Sequence, residues 1–231
     1  MGISTNFAKS VTNSDNPKAF ATRLRAKRLA NFLKVVDNVY NKYGKVNIID
    51  SGGTKAYWNI LPDGILEEKK IHITIVNLPG YNVIENDDHF TIIEGDSCDL
   101  SMFTDNYFHL SHSNSVLEHV GDWQKMKQFS NELMRVAESY YIQTPNYWFP
   151  VEPHCMTPFF HWLPTPIRIS LVMKFNLGHW KRQDTVDGAV ETVESARLVN
   201  KKMFRELYSD AEIVTERLFL FAKSFTGIKN V

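Results

Sequence analysis

The residues with the most direct chemical promise are three histidines and a glutamate. Glu152, His154 and His161 stand in the run Glu152-Pro153-His154-Cys155-Met156-Thr157-Pro158-Phe159-Phe160-His161-Trp162, and His119 stands in Ser113-Asn114-Ser115-Val116-Leu117-Glu118-His119-Val120-Gly121. Histidine changes charge near neutral pH, so each imidazole, like the glutamate, can take a proton from a hydroxyl about to attack an electrophile. Each histidine also has a structural alternative as a core residue with its hydrogen bonds satisfied, above all His161 in its aromatic run. Three short segments upstream suit ligand binding. Asp50-Ser51-Gly52-Gly53-Thr54 pairs glycines that allow a close backbone approach, though such pairs also serve plain tight turns. Asn77 offers an amide to a pair of hydroxyls, as on a ribose, or is a turn residue before Leu78-Pro79-Gly80. Asp96, in Gly95-Asp96-Ser97-Cys98-Asp99, can accept from an amino group such as the exocyclic amine of adenine, or cap its own loop.

These segments follow stretches that read as strands. Val46–Asp50, Ile71–Asn77 and Phe90–Glu94 are short β-branched runs, a fourth begins at Tyr107–Ser111, and Ser139–Thr144 is a fifth, stopped by Pro145. Helical spacing of apolar residues appears from about Lys18 to Tyr43, from Trp123 to Ala137, and from Ser195, as cap, to Tyr208. Ala211–Thr215 and Leu218–Thr226 read as two closing strands. Strands alternating with helices predict an α/β sheet, mostly parallel, whose ligands bind at the strands' carboxyl ends. Between Pro145 and about Trp180 lie six of the nine prolines and three of the eight histidines, together with Tyr147, Trp148, Phe149, Phe159, Phe160, Trp162, Phe175 and Trp180. That stretch is too apolar for a linker and is expected to form a cap over the sheet.

Several classes are excluded or disfavoured. There is no GxGxxG and no GxxxxGK[ST], against dinucleotide enzymes and phosphate-cradling loops. Two cysteines, Cys98 and Cys155, build no disulfide framework and fit reduced thiols in a cytoplasmic protein. No CxxC or Cys/His ligand spacing occurs, so no metal is expected. No apolar run is long enough to span a bilayer, and residues 1–20 lack a signal-peptide core. Met1-Gly2 with Ser4 and Thr5 is a poor match to a myristoylation start because position 6 is Asn6.

Taken in order, Gly95-Asp96 with Asp99-Leu100, then Asp105-Asn106-Tyr107-Phe108, then Ser113-Asn114-Ser115-Val116-Leu117-Glu118-His119-Val120, resemble the class I S-adenosylmethionine-dependent methyltransferases. The closest likeness is to the broad group called methyltransferase type 11. The resemblance covers residues 46–144 and, in outline, 195–231. It implies a Rossmann-like, doubly wound sheet of about seven strands with an antiparallel C-terminal hairpin and helices on both faces. It also implies roles. Gly52, Gly53 and Thr54 would line the methionine and ribose side of the cofactor, and Asp50 would belong to the acidic surroundings that bind it. Asn77 would stand where the family has an acidic residue on the ribose hydroxyls. Asp96, Ser97 and Cys98 would read the adenine, and Ser113 and Asn114 would lie under the sulfonium, with Glu118 and His119 close by. Two family glycines are replaced, by Thr54 and Ala56.

The chain of 231 residues then divides into a helical head (1–45), a cofactor core (46–144), a substrate cap (145–190) and a closing helix with two strands (191–231). Its net charge of zero excludes a globally basic nucleic-acid binder, and no Asn/Asp-Pro-Pro-aromatic motif is present. The zero is a cancellation. Residues 1–45 carry nine basic and two acidic residues, whereas residues 46–144 carry six basic and fifteen acidic. The acidic block coincides with the loops expected to hold a cationic cofactor. The basic head, with Arg23, Arg25, Lys27 and Arg28, reads as a solvated helix face or as attraction to an anionic acceptor or membrane surface. The expected activity is methyl transfer to a small-molecule acceptor, on an oxygen of a sugar, quinone-like or lipid-linked compound. The base would come from His119, His154, His161 or Glu152. The alternative is a catalytically silent fold that binds a partner through its aromatic cap.

Overall fold

The computed structural model describes residues 20–80 and 86–231, with side chains from residue 27 onward. The start of the first helix at Lys18, the readings of residues 1–19, and the Arg23 and Arg25 side chains lie outside it. Seven strands form one sheet: β1 (Val46–Ser51), β2 (Ile71–Asn77), β3 (Phe90–Glu94), β4 (Phe108–Asn114), β5 (Ala137–Pro145), β6 (Glu212–Leu218) and β7 (Phe221–Lys229). Their order is β3-β2-β1-β4-β5-β7-β6. β1 to β5 run parallel, and β7 runs antiparallel to both β5 and β6. The order reverses between β1 and β4, so the carboxyl ends of these two strands flank a crevice.

The β-branched runs become strands because they are covered on both faces, as a parallel sheet requires. Ile48 faces one core and Ile49 the other. One core is closed by helix α1 (Phe20–Tyr43), whose Phe32, Val35, Val36 and Val39 recur at helical spacing and are buried. The other is closed by α3 (Trp123–Val136) and α6 (Lys201–Leu207), through Met126, Phe129, Leu133, Val136, Phe204 and Leu207. Asp122 caps α3 by accepting from the backbone N–H groups of Gln124 and Lys125, both at 2.9 Å. A short helix α2 (Ile65–Glu68) leads into β2.

The cap is more regular than its prolines suggest. It holds α4 (Thr165–Lys174) and α5 (Val186–Glu194), and Cys155, Phe160, Val172, Ala189 and Val193 form a small core of their own. Pro166 sits in the first turn of α4, where its missing N–H costs nothing. The helix expected from Ser195 starts instead at Lys201. Ser195 ends α5, and Asn200 caps α6 through Lys202 and Met203. The reason is tertiary: Val199 bridges Asn146, and the Arg197 N–H donates to the Glu118 carbonyl at 2.6 Å, so the chain between the helices stays extended. Among the described residues no helix is long and apolar enough to cross a membrane.

Candidate functional site

Two polar clusters stand at the carboxyl ends of the parallel strands. The first joins the loops after β1, β2 and β3. The Asp50 carboxylate is buried and fully engaged: Oδ2 accepts from the Trp58 indole at 2.7 Å, and Oδ1 from His112 Nδ1 at 2.7 Å. Asp50 and His112 are register partners across β1 and β4, so the pair ties the two strands at the crevice. Both following glycines are required by protein atoms. A Cβ on Gly53 would lie 1.7 Å from Asp50 Oδ2, and one on Gly52, whose φ is +73°, would lie 2.5 Å from Val116 Cγ2. Thr54 caps the 3-10 turn Lys55–Ile60 by accepting from the Tyr57 N–H at 3.3 Å.

The neighbouring loops close on this one. Asn77 donates its amide to the Gly53 carbonyl at 2.9 Å, and Ser51 Oγ donates to Ser97 Oγ at 2.6 Å. Ser113 is buried, with its hydroxyl 3.3 Å from the Ser51 carbonyl. Asp96 accepts from the Cys98 N–H at 2.8 Å through Oδ1 and keeps Oδ2 at the surface, 3.9 Å from Lys125 Nζ. Burial, with Asp96 nearby, pushes the Cys98 thiol up to about 11, so it stays protonated at neutral pH. Two exposed apolar side chains flank this loop, Leu78 directly after Asn77 and Met102, whose Cε comes near Gly95. Neither was expected from the sequence, although large apolar residues in polar loops are the available signal. Behind the loop, Arg135 donates to Glu132, to Asp105 and to the carbonyls of Leu100 and Phe103, while Glu132 accepts from the Leu100 N–H.

The second cluster lines a cavity of about 690 Å³ between α1, the ends of β4 and β5, the cap and the β6–β7 hairpin. Its floor starts at Asn114 and Ser115. Ser115 holds a left-handed conformation (φ +58°), secured by its N–H and its hydroxyl, both bonded to Gln143 at 2.9 Å. One wall is apolar, with Leu29, Phe32, Tyr57, Trp58, Phe149 and Met156. At another, Glu216 meets Arg28 at 3.2 Å and Lys223 at 3.4 Å, so two cations face one carboxylate. Arg28 also reaches Asn114 Oδ1 at 3.4 Å. The basic helix therefore turns at least this arginine toward the cavity.

The third wall collects Glu118, His119 and His154. His154 Nδ1 donates to Glu152 Oε1 at 2.6 Å, and His119 Nδ1 donates to the Ser195 carbonyl at 2.7 Å. The two Nε2 atoms face one another at 3.2 Å. Glu118 is 1% exposed. Its Oε2 accepts from Thr144 at 2.9 Å, while Oε1 is buried with no hydrogen-bond partner. Burial pushes the Glu118 carboxyl up to about 7. Burial also holds His119 below its usual range. Burial pulls His154 the same way, but the Glu152 carboxylate outweighs it and the net shift is upward. Glu152 is buried too and falls on balance, because it bonds His154 and the N–H groups of His154 and Cys155. His161 is set apart: its Nε2 bonds the Tyr147 carbonyl at 2.7 Å, and its ring does not line the cavity. Glu118, which the resemblance places near the sulfonium, is not among the candidate bases because in the sequence it reads as one more polar residue in a polar loop.

No protein-family model matches the chain, and no curated protein matches it. Solved structures do. A SAM-dependent methyltransferase from Archaeoglobus fulgidus aligns over 90% of this chain and 94% of its own, at 12% identity and a TM-score of 0.50. One from Methanosarcina mazei aligns over 80% and 91% (14% identity, TM-score 0.48), and an O-methyltransferase family protein from Burkholderia thailandensis over 98% and 63% (11%, 0.48). With its seven strands in the order β3-β2-β1-β4-β5-β7-β6 and its reversed β7, the chain has the Rossmann-like fold of class I SAM-dependent methyltransferases.

Proposed function

We propose that this chain transfers a methyl group from S-adenosylmethionine to an oxygen of a small-molecule acceptor. The observation that carries the reading is the placement of the cavity. It begins at Asn114 and Ser115, where β4 ends beside the interlocked loops after β1, β2 and β3.

The donor set of those loops suits the cofactor. Asn77 spends its amide N–H on Gly53, which leaves Oδ1 to accept from a ribose hydroxyl. Asp96 Oδ2 is at the surface to accept from the adenine amine, and Leu78 and Met102 offer apolar faces to the purine. Ser97 and Cys98 shape that rim. Asp50, Gly52, Gly53 and Thr54 act by positioning, since their side chains or missing side chains are used within the loop itself. The acidic character of the segment favours a cation. When bound, S-adenosylmethionine supplies a methyl group already activated on a sulfonium.

What the chain adds is alignment and proton handling. Asn114 and Ser113 lie at the junction between loops and cavity. The apolar wall excludes water and takes the acceptor's body, and the Arg28–Lys223–Glu216 wall favours an acceptor with an anionic group. His119 and His154 present Nε2 atoms to the cavity, while their Nδ1 atoms are held by Ser195 and Glu152. In this reading the acceptor's reacting hydroxyl lies against the His119–His154 wall, Glu152 orients His154, and His161 has no part in the reaction. Calorimetry with S-adenosylmethionine and with its demethylated product tests the cofactor claim. One equivalent should bind, and Asp96→Ala should weaken binding about tenfold, as loss of one hydrogen bond predicts. No heat with either ligand sinks the proposal. Binding without turnover on any hydroxylated acceptor would favour a silent fold instead.

A further inference from the structure

We infer that Glu118, His119 and His154 form a binding site for a first-row divalent transition metal, with zinc as the reference ion. Their ligand atoms all lie within 4.8 Å of one another. The two Nε2 atoms are 3.2 Å apart. Ligands about 2.0–2.1 Å from a tetrahedral zinc stand roughly 3.3 Å from each other, so the rings already have the required bite.

Three independent features support a cation here. First, tautomers are fixed from behind. Each Nδ1 carries its hydrogen toward an acceptor, the Ser195 carbonyl for His119 and the Glu152 carboxylate for His154. In the neutral rings both Nε2 lone pairs are then free, on nitrogens 3.2 Å apart. Acceptors behind metal-bound imidazoles are the usual means of orienting them and raising their basicity. Second, a carboxylate oxygen of Glu118 lies within 4.8 Å of the imidazole ligand atoms, and its Oε1 is buried without a hydrogen-bond partner, although a lone buried carboxylate oxygen is costly. Third, the outer carboxylate is itself held firmly, since Glu152 Oε2 accepts from the N–H groups of His154 and Cys155 at 2.8 and 2.7 Å.

Two imidazoles and one carboxylate select zinc, iron(II), cobalt(II) or nickel(II) over magnesium and calcium, which prefer all-oxygen sites. Three protein ligands leave at least one position open, and all three residues line the cavity. That position would take an oxygen of the acceptor and hold it in place, the metal then replacing the two Nε2 atoms, which no longer accept a proton, as the group that meets the hydroxyl. This last role rests on the methyl-transfer reading; the metal site does not. The ligands are separated by 1 and 35 positions in the chain, outside any Cys/His finger spacing, which is why the sequence predicts no metal.

The test uses the full chain, stripped with a chelator and titrated with Zn²⁺ against a chromogenic competitor. Co²⁺ serves as a spectroscopic probe, and no S-adenosylmethionine is present. The expected result is one tight equivalent, with an intense visible Co²⁺ band of low coordination number. Affinity should drop more than about 100-fold in Glu118→Gln and in His119→Ala/His154→Ala, and about 10- to 100-fold in Glu152→Gln. His72→Ala, far from the site, should bind as the wild type does. Equal uptake by wild type and the double variant overturns the proposal, as does a six-coordinate, water-like Co²⁺ spectrum in the wild type. The latter needs no variant to fold. Failure to take up metal leaves the two rings sharing a proton, and the site is then not a metal site. A chain that binds metal but not S-adenosylmethionine contradicts the proposed function and leaves this inference standing.

Discussion

The loops after β1 to β3 and the wall beneath the cap are built on opposite principles. In the loops, many polar groups are used inside the protein. Asp50 serves Trp58 and His112, Asn77 serves Gly53, Ser51 serves Ser97, and two glycines are glycines because Asp50 and Val116 leave no room. In the cap wall, polar capacity is left over: one oxygen of Glu118 and two facing imidazole nitrogens. A region whose hydrogen bonds close on themselves offers shape, backbone and a few remaining acceptors. A region that leaves a buried carboxylate oxygen unpaired is poised for chemistry, because such a group persists only when something else repays its cost.

The comparison can be broken by substitution, beginning with the largest effect. Asp50→Ala strands the Trp58 indole and the His112 Nδ1–H in a dry interior. It should cost about 3 kcal/mol or more in urea unfolding, since removing one partner of a buried charged contact leaves the others unsatisfied. Glu118→Gln should behave in the opposite way. Stability should change by less than about 1 kcal/mol, or improve, because a poorly compensated buried carboxyl is neutralised, while metal uptake falls more than about 100-fold. If Glu118→Gln unfolds the protein as Asp50→Ala does, the contrast is false. Gly53→Ala should cost about 1–3 kcal/mol of stability, as overpacking against Asp50 predicts. A neutral result would mean that the loop has a freedom its contacts deny.

The smallest effect is a pH dependence on the loop side. The Arg135 hydrogen bond holds the Glu132 carboxyl below its usual value of 4.5. A carboxylate depressed in the folded state stabilises it above the unfolded pKa, and that contribution is lost as pH falls through the folded one. Stability measured below roughly pH 4.5 should therefore decline less steeply in Glu132→Gln than in the wild type. An unchanged acid limb would remove Glu132–Arg135 as a staple of the loop that carries Asp96.

The same contrast explains what could be read in the sequence. β1, β2 and β3 were legible because their β-branched runs are covered on both faces, and the acidic loops after them follow at fixed places. The start of α6 was not, because Ser195 and Asn200 are both capping types, and the choice was made by Val199 bridging Asn146, a contact 53 residues apart in the chain. The cap helix α4 was hidden by prolines that break a helix interior but suit its first turn. The individual histidines were visible as candidates. Their meeting was not, since His119 leaves β4 and His154 comes from the cap, and only the packing of cap on sheet brings their Nε2 atoms together. Glu118 was visible only through the resemblance, as a neighbour of the sulfonium and not as a reactive group, because burial, which gives it its character, has no local signature.

The most direct measurement of the account is a calorimetric titration of S-adenosylmethionine's demethylated product into wild type and Glu118→Gln. The account predicts one equivalent bound to each, with affinities within about twofold, because a group that does not touch the ligand should leave its binding free energy nearly unchanged. No binding to the wild type, or its loss in Glu118→Gln while the fold is intact, would contradict it.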